Sequence, residues 1–95
     1  MNARSLRRRV TIVRDVVFRD LDGEAVLLNL KTGTYFGLDP VGTRIWHLLG
    51  ERAWLADVRD AIVGEYDVTT EAFADDLLRF VGELEAQGLL EVGDE

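Results

Sequence analysis

His47 is the chain's one histidine, and there is no cysteine. Acid–base chemistry near neutral pH, or a metal site with soft ligands, would have to be assembled around that imidazole alone. One histidine without thiolates makes no usual zinc site, and no HExxH pattern is present. A catalytic imidazole also needs an orienting partner and a nucleophile, and no GxSxG, P-loop or GxGxxG motif supplies them. Asp75 and Asp76 are the densest acids. As neighbours on a helix they diverge by about 100°, so they read as a solvated face and not as an acid–base pair. Trp46 and Trp54 read as core or core-edge aromatics. These residues point to a binding module that is not an enzyme, with no cofactor and no metal expected.

The chemistry left for such a module is that of its backbone. Thr34, Tyr35, Phe36, Gly37 and Leu38 form a short strand, last of three, with no charge or proline inside it to blunt an exposed edge. Such an edge is a template onto which an extended peptide can add a strand. Backbone bonds then give affinity, and side-chain pockets give specificity. The last helix offers Leu77 and Phe80 as a groove floor and Asp76, Arg79 and Glu83 as its rim. A free edge also lets two copies pair into a homodimer.

The elements that must hold this strand are legible around it. Val16 to Leu21 reads as a first strand, Asp22-Gly23 as a tight turn, and Ala25 to Lys31 as a second strand. Val26, Leu28 and Leu30 alternate, and the expectation is that they face the core. Thr32-Gly33 turns the chain into the third strand, where Phe36 and Leu38 share the core face and Tyr35 takes the other. Asp39-Pro40 is a helix start, with Asp as N-cap and Pro at the first helical position. The first helix runs to about Gly50, on a stripe of Val41, Ile45, Leu48 and Leu49. The second spans Leu55 to Tyr66. The third starts at Thr69 or Thr70 and stops at Gly88, lined by Phe73, Leu77, Phe80, Val81 and Leu84. Leu89, Leu90 and Val92 make a closing strand or tail.

The fold class is therefore α+β, winged helix-turn-helix-like: an N-terminal three-stranded antiparallel sheet followed by three helices. Apolar residues at 47% and charged residues at 31% suit one globular domain. The expected division is a flexible basic arm over residues 1–13 and a folded domain over 14–92. Five of the 11 basic residues stand ahead of all 18 acids, so the body beyond the arm is acidic. That argues against nucleic acid as a partner, and the acidic third helix is a poor recognition helix. No apolar run approaches a membrane span, and no signal core follows the basic start, so a cytoplasmic location without a membrane partner is expected. Two other classes stay open: a winged-helix transcription regulator, and a small assembly subunit.

The segment AVLLNLKTGTYFGLDPVGTRIWHLL (25–49), the Tyr66-Asp67 ending of the second helix, and DLLRFVGELEAQGLL (76–90) together resemble the PqqD-like proteins. These are also called RiPP recognition elements, after ribosomally made and post-translationally modified peptides. The resemblance covers about Val16 to Leu90. It implies a non-catalytic role, gripping the leader segment of a precursor peptide that lies antiparallel to the third strand and against the third helix. By position it assigns peptide binding to Thr34, Tyr35, Phe36, Gly37 and Leu38, and to Asp76, Leu77, Arg79, Phe80 and Glu83. The partners it implies are the precursor leader peptide and a modifying enzyme or leader peptidase. Segment 31–46 is more similar to stand-alone members of lasso and other peptide clusters than to the quinone-pathway member.

Overall fold

A computed structural model describes residues 8–52 and 54–93. The order is β1 (Arg9–Ile12), β2 (Val16–Leu21), β3 (Glu24–Asn29), β4 (Thr34–Gly37), α1 (Pro40–Glu51), α2 (Leu55–Glu65), α3 (Thr70–Ala86) and β5 (Leu90–Gly93). The expected α+β meander followed by three helices is present as β2–β4 and α1–α3.

The local signals work as their chemistry dictates. Asp22 and Gly23 both take positive φ, at 55° and 85°, which matches the right-handed twist of a two-residue hairpin. The Asp39 side chain accepts from the Gly42 amide at 2.7 Å and Pro40 opens α1. Thr69 caps α3 through the Ala72 amide, and Gly88 leaves it at φ 74°.

Two expectations are corrected. The flexible arm over 1–13 is not what residues 9–12 do: they form β1, antiparallel to β5, in a second sheet. Val10 is 4% exposed and belongs to the core. Arg9 lies over the Trp54 ring at 5.2 Å. The Arg8 carbonyl accepts from the Leu55 amide at 3.1 Å, at the start of α2. Residues 1–7 of that arm lie outside the described residues.

The second correction is the face of β3. Ala25, Leu27 and Asn29 are buried, whereas Leu30 is 60% exposed and Val26 and Leu28 are only partly covered. The pairing Leu27↔Phe36 puts those two on the core side. The Ala25 amide donates to Thr43 Oγ1 of α1 at 2.7 Å, a buried bond that docks this side of the sheet on the helices. Phe36 packs against the core and Leu38 is buried in it, as expected. Trp46 is fully in the core, beside Ile45, Leu48 and Leu49, while Val41 is exposed.

Candidate functional site

β4 is an edge strand: the sheet order is β2-β3-β4, and among the described residues nothing pairs with its other side. The Leu38 amide donates to the Ala25 carbonyl at 2.8 Å, which sets the parity of the ladder. Thr34 and Phe36 therefore turn their backbone groups toward β3, and Tyr35 and Gly37 turn theirs toward the free edge. Those two residues carry the donors and acceptors an added strand would use.

The edge opens on a groove of about 420 Å³ between β4, α1 and α3. Phe36, Val41, Ile45, Phe73 and Phe80 give it an apolar floor, with Asp39, Asp76 and Glu83 at its margins. Among the described residues no lysine or arginine lines it. Arg79 is exposed and pairs with Asp76 at 3.3 Å, one turn apart on α3. Gly37 contributes open space: a Cβ there would meet nothing within 4 Å. Backbone groups at an edge, apolar sockets alongside and acids at the margin suit an extended peptide with apolar anchor side chains.

His47 stands elsewhere. Its Nε2 is 3.2 Å from Asp20 Oδ1, and Phe18 meets its ring edge-on at 5.3 Å. The pair is half exposed and ties β2 to α1. Among the described residues no group of three or more His, Cys, Asp or Glu is placed to hold a metal ion.

A family model described as "Coenzyme PQQ synthesis protein D (PqqD)" matches residues 24–90. The chain belongs to the PqqD family. Among solved structures this PqqD-family chain is similar to one described as "TbiB1 in Complex with the TbiA(beta) Leader Peptide". The two are 48% identical, the match covers 84% of this chain and 93% of that one, and the TM-score is 0.81. No curated protein matches.

Of the PqqD-like residues the sequence singles out, Phe36, Gly37, Leu38, Asp76, Phe80 and Glu83 meet at the groove. Four do not line it. Leu77 is fully buried at 0% exposure and is core, so the expected floor of Leu77 and Phe80 reduces to Phe80. Tyr35 is 70% exposed and projects to the opposite face of the sheet, so only its backbone groups face the free edge. Thr34 belongs to the β4 edge but lies outside the groove, and Arg79 points to solvent beside Asp76. Val41, Ile45, Val68 and Phe73 line the groove and were legible only as helix stripes or loop. Periodicity marks a residue as apolar without saying whether another element or a ligand covers it.

Proposed function

We propose that this chain is a RiPP recognition element that captures the leader segment of a precursor peptide as a fourth strand on β4 and holds it for a modifying enzyme or leader peptidase. The observation that carries this reading is the unpaired β4 edge opening on an apolar groove, in a chain 48% identical to a protein solved with a leader peptide. The role is binding, not catalysis. Tethering the leader raises the effective concentration of the rest of the peptide at the enzyme. The similarity of segment 31–46 to stand-alone proteins of lasso peptide clusters makes a leader peptidase the favoured enzyme, acting in the cytoplasm.

The delivery half of the reading rests on the outer face of the sheet. Val17, Leu28 and Tyr35 stand in one cross-strand row there, with Leu21 and Val26 beside them. Val17, Leu21 and Tyr35 are exposed there, with Arg19 between Val17 and Leu21 on the same face. A leader strand on β4 would extend this face with every second side chain. The partner enzyme then meets sheet and leader as one surface. The transcription-regulator alternative finds no support in α3, where Glu71, Asp75, Asp76, Glu83 and Glu85 outnumber Arg79.

The test is an NMR titration of labelled protein with the TbiA(beta) leader peptide. Amides of Tyr35 and Gly37 are expected to shift most, with Phe80 and Phe73 following. Unmoved β4 amides at saturating peptide would sink the strand-addition model.

A further inference from the structure

We infer that Asn29 is a positioning residue for leader recognition, an inference that rests on the reading above: its side chain clips the β3–β4 hairpin to the exit of α3 and so fixes the two walls of the groove relative to each other. Asn29 ends β3 and is paired across the ladder with Thr34, the first residue of β4. It is one of only two buried polar residues among those described, at 4% exposure. Its Oδ1 accepts from the Lys31 amide at 2.9 Å and the Thr32 amide at 3.2 Å, which shapes the turn leading into β4. Its Nδ2 donates to the Gly88 carbonyl at 3.0 Å, 59 residues away, where α3 ends.

The far side of the clip is built to receive it. Gly88 takes φ +74°, which suits glycine by conformation, and a Cβ placed on it would be in ordinary contact with Asn29 Nδ2 at 3.4 Å. One end of Asn29 organises the strand wall and the other holds the helix wall. β4 and α3 do little of this themselves, because the groove lies between them. The clip lies beyond the groove, past Thr34, and within the groove the walls are tied through α1, where Phe80 approaches Gly42. With the clip gone, hairpin and helix can shift apart, and a peptide spanning both must restore the spacing from its own binding energy.

Two variants of the full chain test this with the TbiA(beta) leader peptide as probe. Asn29→Ser keeps a hydroxyl that can accept from the turn but is too short to reach Gly88. Asn29→Asp keeps the acceptor oxygen for the two turn amides and puts a carboxylate oxygen in place of the donor, facing the Gly88 carbonyl. Both are expected to bind the leader about tenfold more weakly, a loss of one polar bond's worth of affinity. In the free variants the Gly88 and Leu89 amides should exchange faster while the β3–β4 pairing persists. Wild-type affinity in a folded variant overturns the inference. If neither variant folds, Asn29 serves the fold alone and the positioning role is withdrawn. A wild-type chain that fails to bind this leader overturns the functional reading instead, so the two failures are distinguishable.

Discussion

Phe80 of α3 and Gly42 of α1 meet at the floor of the groove: a Cβ on Gly42 would stand 3.4 Å from Phe80 Cζ and 3.1 Å from Asp39 Oδ1. The ring that offers the socket is therefore seated on a bare stretch of helix backbone. Alanine in place of a helical glycine ordinarily stabilises by about 1 kcal/mol. Here the added methyl presses on the Asp39 cap and fills the space against which the Phe80 ring rests. Gly42→Ala is expected to forfeit that gain and to weaken leader binding several-fold, read by calorimetric titration beside a thermal melt. Tightened or unchanged binding would show that Phe80 needs no such seat.

Proline placed along β4 separates the two edges of one strand. At Tyr35 it removes an N–H aimed at the free edge, where an edge strand tolerates proline. At Phe36 it removes a ladder donor to β3. Tyr35→Pro should keep the fold and lose leader binding by about tenfold or more, since one strand bond and its alignment go together. Phe36→Pro should lower the melting temperature itself. Circular dichroism and peptide titration on both variants decide the matter, and equal behaviour of the two would refute the assigned parity.

β1 makes the end of the basic segment part of the folded unit. Val10→Ala opens space in the buried core and should cost about 1–3 kcal/mol, or roughly 4–24 °C in melting temperature at about 4–8 °C per kcal/mol for a domain this size. Removing residues 1–12 takes away β5's partner strand and should do more damage. A truncated chain that melts at the wild-type temperature would return these residues to the status of a tail.

Acid should loosen the α1–α2 junction. Arg44 grips Glu65 with two bonds, Nε to Oε1 at 2.9 Å and Nη2 to Oε2 at 2.7 Å. The hydrogen bond from Arg44 holds the Glu65 carboxyl below its ordinary range. A carboxylate lowered on folding adds stability above its unfolded pKa and loses it as pH falls through the folded value. The pair is solvent-exposed, so the effect is small and screened by salt. Glu65→Gln should flatten the acid side of a melting-temperature profile and leave the neutral side nearly unchanged. An identical acid slope in both proteins would count the pair out.

The sequence by itself determined every element whose boundary is a local matter. Asp39-Pro40, Asp22-Gly23, Thr69 and Gly88 each act on the backbone within a few residues, and α1, the first hairpin and α3 start or stop beside them, whereas the second strand, read to Lys31, ends at Asn29. It also marked TYFGL as a strand lacking charge or proline, one residue longer than β4, and it spells out no catalytic constellation. The inward face of β3 was decided elsewhere. Residues 25–30 are apolar at both parities except for Asn29, so alternation cannot choose between Val26-Leu28-Leu30 and Ala25-Leu27-Asn29. Tertiary bonds chose: Ala25 to Thr43, Asn29 to Gly88, and Leu27 opposite Phe36. The same holds for the site. Leu77 and Phe80 share one helix stripe, yet one is sealed in the core and the other lines the groove. Periodicity fixes the side of a helix, and only the packing of β4, α1 and α3 fixes how far that side is covered. Nor did the arginines of the N-terminal segment announce a strand, because β1 exists only where β5, far along the chain, comes back to meet it.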